Sequence, residues 1–250
     1  MTLRVPYIAD DAIERDAAAL LGEFAHARGI EVRAPIPIED IVEKHLKLHV
    51  EFDDLHRLLD VPRSGIGLDP DMFGAIWLEA GRIVIDESLD PEERPEREGR
   101  YRFTLAHEGG GHWRLHRPLV RPTRDQGSLL VDRARPTVIC RSSQAKERVE
   151  WQADFYASCL LMPRKMVFAA WDEAFPDRKQ RVLQPETPIE HPFVEIGRDF
   201  DDDEDRVLDS FARPFAERFL VSPIAMRIRL EKLGLLHRVV PRQRLLTEGF

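Results

Sequence analysis

The sequence predicts an α+β fold, a small mixed or antiparallel sheet packed against several helices, with a further helical unit toward the C-terminal end. Three observations carry this expectation. Apolar residues recur at helical spacing over residues 10–27 and 146–161. Apolar and polar residues alternate over residues 47–52, where Leu48, Val50 and Phe52 share a face. Two short apolar runs, residues 74–78 and 82–86, flank the turn Glu79-Ala80-Gly81 and read as a β-hairpin.

The first helix aligns Ile13, Ala17, Leu20, Leu21 and Phe24 and should end near Gly29. Residues 37–45 read as a second helix with Ile38, Ile41 and Val42 on one face. Residues 91–99 are highly charged, a surface loop leading into a helix from about Arg100; a long polar stretch, residues 117–135, follows that helix. Residues 137–140 form a β-branched run suited to an edge or covering strand. The helix over 146–161 stops at Pro163, and a shorter one follows over 164–174. Residues 177–205 are rich in proline and acids and lack periodicity, the character of a linker or long loop. Helical spacing resumes over 206–236, interrupted at Ser222-Pro223, a favourable cap and first-turn pair. The expected organisation is a main domain over 1–185, an acidic, proline-rich linker or loop over 186–205, and a C-terminal helical unit, helix-turn-helix-like, over 206–250.

Composition narrows the function. A formal charge of −8 argues against a chain whose main task is coating nucleic acid. Two cysteines, Cys140 and Cys159, are too few for a disulfide framework or a four-cysteine zinc site, so a reducing, cytoplasmic setting is expected. No secretory leader and no membrane-length apolar run is visible. The acidic run 199–205 lacks the glycine and distal glutamate of a calcium loop and reads as solvated.

The chemistry sits in His107-Glu108-Gly109-Gly110-Gly111-His112. A zinc peptidase helix normally spaces its histidines four apart, on one face, with a glutamate between them. Here they are five apart, which an α-helix places about 140° apart around its axis. A π-helical widening, roughly 4.4 residues per turn, brings them to within about 50°, and three glycines tolerate such distortion. In the alternative arrangement the helix begins after the glycines and His112 pairs with His116, which leaves Trp113 where the base should be. A glycine-rich loop with incidental histidines is the plain reading. The widened helix is preferred. The second segment, residues 147–163, sets Glu150 beside its buried face and Asp154 one turn on. Two histidines and one glutamate leave a fourth metal position open, as catalysis requires, and Asp154 suits the far nitrogen of a ligating histidine. Glu108 is then the general base. His116 and Tyr156 are candidate oxyanion donors, although for His116 a core histidine or one supporting a ligand is the preferred reading.

Three ordered segments, Arg102–His116, Glu147–Pro163 and Phe219–Leu236, resemble the ImmA/IrrE family of metallo-endopeptidases. The resemblance runs from about Ile38 to Leu236 and implies a zincin-like active-site helix, with one Zn2+ held by His107, His112 and Glu150, Glu108 as base, and Asp154 orienting a histidine. It further implies a protein substrate, a helix-turn-helix repressor that the enzyme cleaves or inactivates. The chain departs from the family in one respect, an extra glycine in the H-E-x-x-H motif; a similarly lengthened motif, H-E-x-x-G-H, occurs in dipeptidyl-peptidase-III-like enzymes. The alternative is a metal-containing regulator with little peptidase activity. The tail helices could also touch DNA through Arg227, Arg229 and Lys232, or pack on the main domain through Phe215, Phe219, Val221, Ile224, Ile228 and Leu233. Packing is preferred.

Overall fold

The computed structural model describes residues 5–61, 72–119, 136–141, 147–183 and 200–238, with backbone alone for 140–141 and 200–204. The fold is α+β, as the patterning predicts. Helix α1 (Asp10–Arg28) turns Ile13, Ala17, Leu20, Leu21 and Phe24 inward and ends on Gly29, whose φ of 63° closes the helix with N–H contacts to Ala25 and His26 carbonyls. Residues 38–45 are helical, but the last six, Asp40–His45, widen into a π-helix. Strand β1 (His49–Asp53) follows, then a short helix α2 (Leu55–Leu59), and the hairpin β2 (Met72–Trp77) and β3 (Arg82–Asp86).

The sheet order is β1-β3-β2-β4, with β4 spanning Val138–Arg141 at the edge. β1 runs parallel to β3, while β2 pairs antiparallel with both β3 and β4. β2 is buried along its whole length, which explains its nearly unbroken apolar composition. Gly81 turns the hairpin at φ 64°, and a side chain there would also press on Trp113 at 3.3 Å.

Helix α3 (Glu98–Ala106) passes directly into a second π-helix, His107–His116. Helix α4 (Arg148–Leu161) packs against that π-helix and α1, and α5 (Arg164–Ala174) follows after Pro163. Residues 181–183, expected in a loop, form strand β5 (Arg181–Leu183), parallel to β6 (Leu236–Arg238), so the last predicted helical residue is instead a strand residue. The expected linker over 186–205 lies mostly outside the described residues. Its last residues open α6 (Phe200–Phe219), earlier than the predicted start at 206; an acidic run suits the positive end of a helix dipole.

Helix α7 (Pro223–Lys232) begins where the sequence indicates. Ser222 Oγ accepts from the Ala225 N–H at 3.2 Å, and Pro223 occupies the first turn. Lys232 is exposed as expected, but the two arginines are not. Arg227 is 7% exposed and bridged to Asp209 at 2.6 Å, with Glu231 and Asp205 near. Arg229 is 1% exposed, and its guanidinium reaches Glu14 of α1 at 2.6 Å, the Met162 carbonyl at 3.1 Å and Cys159 Sγ at 3.4 Å. Lys232 pairs with Asp10. Ile224 and Ile228, expected to pack, are 52% exposed each, because Met226 and Leu230 take the inward face. Phe215, Phe219 and Val221 share one core with α1, α4 and α5, where Phe211 and Phe215 lie against Trp171. Burial pushes the Cys159 thiol up to about 12, which suits an inert packing role. Among the described residues no helix is long and apolar enough to cross a membrane.

Arg229 ties α7, α4 and α1 together through one buried group. Arg229→Ala would strand Glu14 and leave a void, a loss of about 3 kcal/mol. Urea unfolding checks this: the midpoint should fall with the slope unchanged.

Candidate metal centre

The centre is built where the second π-helix presses on its neighbours. Each of its three glycines is required by contact as well as by pitch. A Cβ on Gly109 would meet Val42 Cγ2 at 2.7 Å, and one on Gly110 the Tyr156 ring at 2.7 Å. On Gly111 it would meet Ala153 Cα and Cβ at 2.5 Å, and backbone cannot yield as a flexible side chain can. The sequence reading anticipated a local bulge; the structure extends the π geometry over ten residues. It does so because residues 109–111 approach α4 and the first π-helix without side chains between them.

That approach brings His107, His112 and Glu150 together as buried groups, with candidate ligand atoms all within 4.8 Å of one another. His107 Nε2 stands 2.9 Å from His112 Nε2 and 3.1 Å from Glu150 Oε2, and His112 Nε2 is 3.7 Å from Glu150 Oε1. The imidazole planes cross at 74°, so their edges converge. A tetrahedral ion with ligands at about 2.0–2.1 Å spaces them about 3.3 Å apart. The observed separations bracket that edge. The donor set therefore fits a metal ion, and these residues are the ones that would hold it.

The surrounding groups support the set. The Asp154 carboxylate accepts from His107 Nδ1 at 2.8 Å, which places the proton on the nitrogen away from the cluster and leaves Nε2 bare. His116 lies along the same face, its Nδ1 3.2 Å from His112 Nδ1 and its Nε2 3.0 Å from Gln152 Oε1. Burial pushes His116 down to about 3, so this ring is neutral. Burial also lowers His112. Burial works to raise Glu150, but positive charge carried by His107 and His112 at this edge, a place a cation would equally fill, outweighs it and holds the carboxyl at about 2. A site that keeps a buried carboxylate ionised is a site that favours positive charge beside it.

Glu108 is fully buried, and neither carboxylate oxygen has a hydrogen-bond partner among the described residues. Desolvation pushes it up to about 8, against a smaller opposing effect of His107. Room for it comes from Gly74 on β2, where a Cβ would stand 2.8 Å from Glu108 Oε1 and 2.7 Å from Thr104 Cγ2. Gly74 was absent from the sequence-derived site. The available clue is a glycine inside an otherwise apolar strand, which marks a close approach. Gln152 was also missed: it lies between residues read as one helix face, and nothing in its spacing reveals that it meets His116. Tyr156, a candidate oxyanion donor, commits its hydroxyl to Asp16 Oδ2 at 2.9 Å, beside Arg114, which bridges Asp16 and Glu23.

No protein-family model matches the chain, and no curated protein matches it. The family resemblance rests on the motifs and on this buried cluster.

Gly111→Ala should push the π-helix from α4 and separate His112 from Glu150. Zinc retention after dialysis is expected to fall at least tenfold with helical content preserved. Gly22→Ala, in the open interior of α1 with nothing within 4 Å, is the matched control; it should retain zinc and gain about 0.5–1 kcal/mol of stability.

Proposed function

We propose that the chain is a cytoplasmic zinc-dependent endopeptidase acting on a specific protein, a helix-turn-helix transcriptional repressor. The observation that carries the reading is Glu108. A metal site that only braces a fold has no use for a second carboxyl, buried, unpartnered and next to the ligands; leaving such a group unsatisfied costs about 1–3 kcal/mol. Strained or unsatisfied groups of this kind concentrate where chemistry needs them. Two imidazoles and one carboxylate suit zinc among the divalent ions.

When bound, zinc supplies a Lewis acid that polarises a carbonyl and acidifies a water. The chain's own residues do the rest. His107 and His112 present bare nitrogens, and Glu150 presents an ionised carboxylate. Asp154 holds the His107 ring in orientation. In its ionised form Glu108 Oε takes a proton from the attacking water and returns it to the leaving amine, and its raised affinity for a proton strengthens it as a base. Gly74 keeps a side chain out of the space around that carboxyl.

A protein partner is favoured over DNA because Arg227 and Arg229 are spent on internal ion pairs. A second reading, a metal-containing regulator without peptidase activity, draws support from the depth of the cluster, since His107, His112 and Glu150 are each at most 4% exposed.

The two readings separate on one substitution. Glu108→Gln should reduce cleavage of a repressor encoded beside this chain by about 10²–10⁴-fold, with zinc content staying at one per chain. Zinc-loaded wild type that binds the repressor without cutting it would favour the regulator.

A further inference from the structure

A line of buried polar contacts leads away from His112 and ends on the segment ahead of α1. His112 Nδ1 meets His116 Nδ1 at 3.2 Å, His116 Nε2 meets Gln152 Oε1 at 3.0 Å, and Gln152 Nε2 meets the Pro6 carbonyl at 3.0 Å. His112, His116 and Gln152 are all 0% exposed. Histidine tautomers and glutamine amide orientation are normally ambiguous, because each side chain can face either way. Here the last member removes the ambiguity. A backbone carbonyl only accepts, so Gln152 must turn its NH2 toward Pro6. Its oxygen then faces His116 and can only accept, so the His116 proton lies on Nε2. A neutral imidazole has one N–H, which leaves His116 Nδ1 as an acceptor and obliges His112 Nδ1 to donate to it. His112 Nε2 is therefore bare and turned toward His107 and Glu150.

We infer that His116 and Gln152, anchored on the Pro6 carbonyl, are positioning residues that lock His112 in the tautomer needed to ligate a metal. The inference rests on the metal-centre reading given above. It assigns His112 the service that Asp154 performs for His107, by a different route, a directed chain of neutral groups in place of a carboxylate. The consequence is that both imidazoles send their protons outward and bring two bare nitrogens to 2.9 Å of each other. Two lone pairs at that distance repel, and a cation between them relieves it. The relay thus holds the centre ready for an ion and links it to the chain ahead of α1.

Long-range proton–nitrogen NMR of the full chain, metal-free and zinc-loaded at neutral pH, reads each ring directly. The expected result is His116 protonated on Nε2 and bare on Nδ1 in both states, with His112 protonated on Nδ1 and carrying zinc on Nε2. His116 protonated on Nδ1, or zinc on His112 Nδ1, overturns the relay. Chelator competition gives the second readout. His116→Phe and Gln152→Leu should weaken zinc binding about 10–100-fold, while His116→Gln, whose amide both accepts and donates, should recover most of it. Unchanged zinc affinity in folded His116→Phe and Gln152→Leu also overturns the relay. A wild-type chain that shows the expected His116 tautomer yet binds no zinc would overturn the metal reading and support the relay.

Discussion

Five residues complete little more than one turn between His107 and His112, and the centre depends on that pitch. At 3.6 residues per turn the two rings would diverge by about 140°. At roughly 4.4 they fall within about 50°, His116 follows His112 by about 30°, and all three histidines line one face. The ring contacts observe this alignment, with centroids 4.7 Å apart for the first pair and 5.3 Å for the second. An α-helical register would instead have paired His112 with Glu108. One change of pitch thus decides which side chains can share an ion.

The glycines make that pitch possible in two ways. They relieve the backbone, and they let α4 and Val42 approach to distances no side chain permits. The second effect is the larger one at Gly111, because its neighbour is the backbone of Ala153, one turn from Glu150. The same close approach excludes solvent from the site. Desolvation then raises Glu108 and lowers His112 and His116, while positive charge at the edge shared with His107 and His112 keeps Glu150 ionised. Pitch, packing and protonation are consequences of one local sequence, His107–His116, pressed against α4.

Elements governed by local pattern were legible in the sequence. The α1 face, the β2–β3 hairpin, the Ser222-Pro223 start of α7 and the stop at Pro163 all follow from residues near in sequence. The His107, His112 and Glu150 cluster was legible because motif spacing encodes it, and the π-helix because three glycines announce distortion. What was not legible depends on partners far along the chain. Arg229 resembles an exposed cation until its partner Glu14, 215 residues away, is placed beside it. Gly74 owes its identity to Glu108 on another element, and Gln152 to a carbonyl 146 residues earlier. Ile224 and Ile228 were misplaced because α7 carries apolar residues on more than one face, and only the packing with α6 selects Met226 and Leu230 as the buried pair. Strand β5 is three residues long, too short for alternation to rise above its surroundings.

The central claim is that His107, His112 and Glu150 converge on one ion, and zinc-edge X-ray absorption of the loaded chain tests it most directly. The account predicts one zinc per chain with two imidazole ligands and oxygen donors, all at about 2.0–2.2 Å. Zinc that is not retained, or that shows a single imidazole or sulfur at about 2.3 Å, would contradict it.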